Sequence, residues 1–321
     1  MYTDKTEEIL LVLSQRQAAH LAGLIDGDGS IAIRYDYRCG YQLTTTVYST
    51  SFNLMTYLLD TFEGSFRGMP TKGNRKQKYC WYTSDPFVLS SVAPHIRIKS
   101  TQCKIAAQFF LLGNEKNPEA RAELLRDLQS ANADFEPINK DLIKSRVRPS
   151  PPSILDYCYL AGLFDAEGSF GIFKKKGSGN GSYTSCIRIS NTNGLIFSWL
   201  LSKFGGTISH NVRDTRDEGV WSLSEAKGIA GRKERIRKLE SLVPYLVTKK
   251  DRGLLILDWL KNCSTFSEKE KLEYFDTMKK LNHRGISPEA NTSRLSQNEK
   301  DKIESDPCSD AGNAAMVTST A

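Results

Sequence analysis

The sequence predicts an α+β chain of two pseudo-symmetric αββαββα domains, each built on an antiparallel sheet, joined where one helix of each half meets the other. Three observations predict it. The segment His20-Leu21-Ala22-Gly23-Leu24-Ile25-Asp26-Gly27-Asp28-Gly29-Ser30-Ile31 recurs as Tyr159-Leu160-Ala161-Gly162-Leu163-Phe164-Asp165-Ala166-Glu167-Gly168-Ser169-Phe170. Further matched features follow each copy in the same order, the signature of an internal repeat. Between the copies lies a polar, charged stretch that ends Arg146-Val147-Arg148-Pro149-Ser150-Pro151-Pro152 and reads as a linker.

Each element has a local reason. The repeated segment is apolar at helical spacing. Its helix opens on a start signal in both halves: Ser14 with Gln17 three residues on, and Ser153 with Asp156 after Pro151-Pro152. Both helices should stop near the glycines of Asp26-Gly27-Asp28-Gly29 and Asp165-Ala166-Glu167-Gly168. Alternating stretches around Tyr41–Val47 and Tyr183–Ile189 read as strands. A second helix ends at Phe62-Glu63-Gly64 and at Phe204-Gly205-Gly206, and a strand holding Trp81 or Trp221 follows, each Trp expected in the core. Each half then reaches Pro94-His95-Ile96-Arg97-Ile98-Lys99 or Pro244-Tyr245-Leu246-Val247-Thr248-Lys249 and a last apolar helix. The domains are placed at 1–112 and 153–283, with a linker at 113–152 carrying a short helix over Pro118–Gln129. The polar tail 284–321 has no periodicity and is expected to be disordered.

Composition narrows the chemistry. The formal net charge is +7, from 44 Lys and Arg against 37 acids, a modest excess compatible with a polyanionic partner. The 7 cysteines form no Cys-x-x-Cys pair and the 4 histidines no His-Glu-x-x-His pair, which argues against zinc and against a disulfide framework. The cysteines read as buried thiols. No run approaches the roughly 20 apolar residues that span a bilayer, so no membrane partner is expected. The acidic start, with Asp4, Glu7 and Glu8, is unlike a secretion or transit signal.

The repeated motif is physically odd in two ways. Ala22, Gly23, Ala161 and Gly162 put the smallest residues mid-helix, where a glycine costs about 1 kcal/mol relative to alanine. That cost is recovered if a second backbone must approach closely, so these residues are the candidate helix interface. Each helix also ends in acids, although a helix C-terminus disfavours carboxylates by roughly 0.3–1 kcal/mol. Bringing Asp28 within about 4 Å of Glu167 adds on the order of 4 kcal/mol of repulsion at a dielectric of 20. Cations relieve such an arrangement, and oxygen-only ligands point to Mg²⁺ or a similar hard ion.

The two motifs, LAGLIDGDG and LAGLFDAEG, resemble the signature of the LAGLIDADG homing endonucleases and related intron maturases, over roughly residues 10–280. The resemblance implies that the motif helices form the interface between halves, and that the last acid of each motif, Asp28 and Glu167, binds catalytic metal. Gly27 and Ala166, next to those acids, join the implied metal set. The cofactor is then Mg²⁺, two or three divalent ions shared between the halves, with Mn²⁺ or Ca²⁺ able to substitute in binding. Asp26 and Asp165 take a structural part at the helix ends. Lys99 and Lys249 match a basic position that supports the site by positioning water and stabilising charge. Asn193 matches a polar position that orders solvent, with Ser51 as its less typical first-half counterpart.

The resemblance also implies a saddle-shaped sheet on DNA in each half. Strands of about 8–10 residues span about 30 Å, near the 34 Å turn of DNA, so two saddles follow about 20 base pairs of double-stranded target. Candidate contacts are Arg34, Arg38, Gln42, Thr44, Thr46, Arg67, Lys72, Arg75, Lys76 and Lys78 in the first half. Lys174, Lys175, Lys176, Arg188, Arg213 and Arg216 serve the second. The halves differ, so the target need not be palindromic, and one chain suffices as a monomer. The expected activity is a metal-dependent double-strand cut. Alternatives are an RNA maturase acting on intron RNA and a non-catalytic DNA-binding regulator; the intact acids favour cleavage over the latter. The expected location is an organelle, mitochondrion or chloroplast, with the gene encoded in place, or a microbial cytoplasm, and not outside the cell.

Overall fold

The computed structural model describes residues 3–37, 40–70, 76–113, 117–134, 136–139, 141, 148–174, 182–213, 216–223 and 229–282. The tail expected to be disordered, 284–321, lies outside the described residues. The first half runs α1 (Thr3–Asp28), β1 (Gly29–Asp36), β2 (Gly40–Ser49), α2 (Phe52–Phe62), β3 (Ser65–Met69), β4 (Lys78–Thr83), α3 (Pro86–Val92) and α4 (Ser100–Leu111). After α5 (Pro118–Ala133) the second half repeats the order: α6 (Ile154–Glu167), β5 (Gly168–Lys174), β6 (Tyr183–Asn191), α7 (Leu195–Phe204), β7 (Thr207–Arg213), β8 (Arg216–Ser222), α8 (Ile229–Leu242) and α9 (Lys250–Asn262). It closes with α10 (Glu268–Asn282).

The sheets are antiparallel, ordered β1-β2-β4-β3 and β5-β6-β8-β7. Helices cover one face of each, and the alternation predicted from sequence sets which face. Ile31, Ile33, Leu43 and Val47 point into the first core, Phe170, Ile172, Ile187 and Ile189 into the second. Trp81 and Trp221 are buried as expected. Their indole N–H groups donate to the carbonyls of Glu63 at 2.8 Å and Gly205 at 2.7 Å, satisfying the one polar atom each brings inside. Both carbonyls sit where the chain leaves a helix at positive φ, 56° at Glu63 and 63° at Gly205. Cys80, Cys103 and Cys158 are buried free thiols, whereas Cys186 and Cys263 are half-buried.

Three local features depart from the sequence reading. α1 extends back to Thr3, so Ser14 lies inside the helix rather than at its start. Ser153 does cap α6: its hydroxyl accepts from the Asp156 amide at 3.1 Å, and Asp156 accepts from the Ser153 amide at 2.9 Å. The last helical stretch of each half comes in two pieces, because Pro94 and Pro244 lack the N–H that a continuous helix needs. Finally, α5, in the stretch read as a linker, packs on β1 through an Asn132 amide that donates to the Ile31 carbonyl at 3.0 Å. Asn282 of α10 does the same to Phe170 of β5 at 2.8 Å. The stretch thus gives the first half the helix that α10 gives the second.

Candidate metal centre and nucleic-acid interface

The two motif helices meet along their length. Ala22 and Ala161 are fully buried, and from Asp156 to Asp165 every residue of α6 is buried, as expected of a helix covered on all sides. A Cβ on Gly23 would run into the Tyr159 carbonyl and the Leu163 amide; one on Gly162 would run into the His20 carbonyl and the Leu24 amide. The glycines therefore let backbone meet backbone, as the sequence reading required. Lower down, a Cβ on Gly27 would strike the Ala166 methyl, so the two helix ends also converge.

Asp26 and Asp165 are buried structural acids. Asp26 accepts from the amides of Arg97 at 2.7 Å, Ile98 at 3.1 Å and Lys99 at 3.0 Å. Asp165 accepts from the amides of Val247 at 2.7 Å, Thr248 at 2.9 Å and Lys249 at 2.9 Å, and from the Thr248 hydroxyl at 2.7 Å. Each thus pins the loop that opens α4 or α9 onto its motif helix. The fourth partner comes from the opposite half: the Tyr159 hydroxyl donates to Asp26 at 2.7 Å, and His20 Nε2 lies 3.2 Å from Asp165. Burial raises the Asp165 carboxyl, but the hydrogen bond and charge of His20, with the amide and hydroxyl donors, hold it below the ordinary value.

Pinning those loops fixes the lysines. Lys99 and Lys249 each immediately precede a helix, as predicted, and neither is an exposed surface lysine. Lys99 Nζ donates to the carbonyls of Ile25 at 2.6 Å and Asp26 at 2.9 Å; Lys249 Nζ donates to those of Phe164 at 2.8 Å and Ala166 at 3.0 Å. A cation thus meets the negative C-terminal end of each motif helix. Burial lowers the Lys99 ammonium and takes Lys249 down to about 8, against the pull of nearby carboxylates.

The metal-site candidates divide between two hollows. Glu167 lines one with Gly27, Lys99, Asn191 and Asn193, and Asp28 lines the other with Ala166, Lys249, Ser49 and Ser51. Each hollow therefore joins the acid of one motif to the neighbouring residue of the other. Burial, and then the charge of Asp28, push Glu167 up to about 7; burial also raises Asp28, against the pull of Lys249, Lys78 and Lys99. Asn193 and Ser51 do correspond: Asn193 Oδ1 accepts from the Leu195 amide at 3.0 Å at the start of α7, and Ser51 Oγ from the Leu54 amide at 3.3 Å in α2. Ser51 caps its helix, Asn193 stands one residue before the cap of its own, and both line their hollows.

Among the described residues no three His, Cys, Asp or Glu side chains converge as a closed cage. Two repelling carboxylates in open hollows suit a hard ion that keeps most of its water. The hollows measure about 290 and 430 Å³. Six waters at about 30 Å³ each, roughly 180 Å³, fit in either.

The uncovered sheet faces carry most of the predicted contacts. Register places Arg34, Gln42, Thr44, Arg67 and Lys78 on one face of the first sheet. Arg67 lies 6.0 Å from the Tyr82 ring centre and Lys78 5.1 Å from that of Tyr48. Lys76 lines the Asp28 hollow. Arg188 faces outward from the second sheet, and Arg213 and Arg216 hold register positions on the same face. Two candidates are corrected. Thr46 is on the right face but buried, its hydroxyl turned to the Ser30 carbonyl at 3.4 Å. Lys174 alternates with Ile172 and Phe170, so it leaves β5 on the helix-covered side. Arg38, Lys72, Arg75, Lys175 and Lys176 lie outside the described residues.

No protein-family model matches the chain, and no curated protein sequence does either. Solved structures do. The LAGLIDADG meganuclease I-AabMI bound to uncleaved DNA is 17% identical, covering 84% of this chain and 99% of its own, with a TM-score of 0.58. The LAGLIDADG homing endonuclease I-SmaMI bound to cleaved DNA is 15% identical, covering 84% and 97%, with a TM-score of 0.57. I-SmaMI on uncleaved DNA with calcium ions is 16% identical, covering 82% and 97%, with a TM-score of 0.55. The chain has the two-motif LAGLIDADG fold.

Within the LAGLIDADG fold, sequence reasoning missed the side chains that tie the halves together. His20 and Tyr159 open the two motif copies, and a polar aromatic in both, on otherwise apolar helices, was the available signal. Arg97 had none. Its guanidinium sits 4.3 Å from the Trp199 ring centre and 4.8 Å from that of Tyr159, with Asp156 at 3.1 Å, all in the opposite half.

Proposed function

We propose that this chain is a site-specific endonuclease making metal-dependent double-strand cuts in a long, non-palindromic DNA site. The observation that carries the reading is the pairing of two acids, Asp28 and Glu167, in separate hollows at the joined ends of the motif helices. One hollow per strand is the arrangement a double-strand cut needs. The DNA-bound state of the structural neighbours supports the partner, and calcium with one of them supports a divalent ion.

In this reading the uncovered sheet faces lie in the grooves. β2, at 10 residues, is about 33 Å long, one turn of duplex, so two sheets take about 20 base pairs. Arg34, Gln42, Thr44, Arg67 and Arg188 reach base edges or phosphates from those faces. Asp28 and Glu167 hold Mg²⁺, with Gly27 and Ala166 bordering the same hollows. Bound Mg²⁺ supplies Lewis-acid stabilisation of charge on the phosphodiester under attack. Lys99 and Lys249 keep a positive charge beside each acid and orient water toward it. Asn193 and Ser51 shape the hollow walls. Different side chains on the two faces make the target asymmetric, and a single chain supplies both hollows as a monomer.

The test is selection of cut sites from a plasmid library of partly randomised long targets, with Mg²⁺ and with EDTA. Double-strand breaks at one enriched sequence, absent in EDTA, are expected. Specific binding with no breaks at any Mg²⁺ concentration would contradict the reading.

A further inference from the structure

The two hollows are built alike but charged oppositely. The Glu167 hollow is lined by Asp26, Asp134, Glu167 and Glu218 against one cation, Lys99. The Asp28 hollow is lined by Asp28 and Asp165 against Lys76, Lys78, Lys249 and Arg252. Asp26 and Asp165 are each held by three backbone amides, so they do not make the difference. The outer residues do. Lys78 stands three residues before Trp81 in β4, and Glu218 stands three before Trp221 in β8. Both trailing strands pair the same way, Val47 with Trp81 and Ile189 with Trp221, so Lys78 and Glu218 hold equivalent places on the uncovered faces. The pseudo-symmetry that matches the strand pairing reverses charge here.

We propose that the Glu167 hollow loads a divalent cation on the free protein, whereas the Asp28 hollow loads one only after target phosphates neutralise its lysines and arginine, so that the two strands are cut in order. This rests on the endonuclease reading above. The Glu167 side is already attractive to a cation, and its strand is cut first. On the Asp28 side, Lys76, Lys78 and Arg252 attract phosphate and repel free metal. One unit charge about 10 Å from a divalent ion, in a water-like medium, changes affinity about fourfold, and a full reversal about fifteenfold. Low ionic strength preserves the effect, because salt screens exposed charges beyond about 10 Å at 0.1 M.

The loading order is read without DNA, by Mn²⁺ titration of the full chain followed by electron paramagnetic resonance at low salt. Wild type is expected to bind one ion tightly. Glu218→Gln should weaken it about fourfold and Glu218→Lys about fifteenfold. Glu167→Gln should remove it, whereas Asp28→Asn, which takes away one neighbouring charge and no ligand, should only weaken it several-fold. Equal binding in wild type and Glu218→Lys, or equal losses in Asp28→Asn and Glu167→Gln, would overturn the proposal. With target DNA, each strand carrying its own end label, one nicked intermediate is expected at limiting Mg²⁺. Glu218→Lys should raise the Mg²⁺ requirement of the first-cut strand alone. Both strands cut at one Mg²⁺ midpoint would overturn the order of cutting and leave the endonuclease intact. No cutting at all would remove the endonuclease reading, while the Mn²⁺ titration would still decide the loading order.

Discussion

Tyr159 donates its hydroxyl to Asp26 at 2.7 Å across the interface between the halves. Asp26 in turn holds the Arg97–Lys99 loop, so one hydrogen bond links the C-terminal motif helix to the placement of Lys99 in the other half. Hydrogen bonds to charged groups contribute about 1.5–3 kcal/mol. Tyr159→Phe removes only the donor and should lower unfolding free energy by that amount, read from urea denaturation. An unchanged midpoint would mean that Asp26 is satisfied by the amides alone.

Close approach at the motif glycines gives a contrast between two similar changes. Gly162→Ala puts a methyl against the His20 carbonyl, which belongs to a buried helix and cannot move away, and overpacking of this kind costs about 1–3 kcal/mol or more. Gly68→Ala meets only the flexible end of Gln77 and should stay within about 0.5 kcal/mol of wild type. Thermal melts of the two variants, side by side, check the difference.

Sheet register predicts which basic residues matter for DNA. Arg34→Ala and Arg67→Ala, on the uncovered face, should each weaken target binding, by about 1–3 kcal/mol where the side chain reads a base. A phosphate contact should instead reduce the salt slope by about 1. Lys174→Ala should change neither, because Lys174 leaves the sheet on the helix-covered side. Fluorescence anisotropy against salt concentration separates the three variants.

Lys99 and Lys249 bring the only cations bonded to the C-terminal carbonyls of the motif helices among the described residues. Replacing either with Met keeps the stem and removes the charge. Losing one preorganised charge of this kind typically costs about 10²–10³ in rate. Each single variant should slow cutting by about that much on one strand more than the other, with target affinity within tenfold of wild type, read on strand-labelled duplex.

Much of this was legible in the sequence because it is written twice. The motif repeat located the interface glycines and the two acids, the resemblance pointed to the lysines, and the candidate contacts Arg34, Gln42 and Arg188 fall on the uncovered faces. What stayed hidden depends on tertiary distance. Nothing local marks Arg97 as a stack on Tyr159 and Trp199, since its partners lie in the other half. Ser14 looked like a cap because its spacing to Gln17 is right, yet the apolar pattern before it let the helix continue to Thr3. Lys174 was placed by composition alone, and a shift of one residue along a strand reverses the face. α3 and α8 give weak signals, since α3 has only 7 residues and half of the 14 in α8 are charged.

The most direct measurement is cleavage of a selected target by Asp28→Asn and Glu167→Gln, with each strand labelled and Mg²⁺ varied. Since each acid lines its own hollow, each single variant should lose cutting on one strand by at least about 10²-fold, the two should affect opposite strands, and the double variant should still bind the target uncut. Wild-type rates on both strands in either variant would contradict the assignment of these carboxylates as the centre of the site.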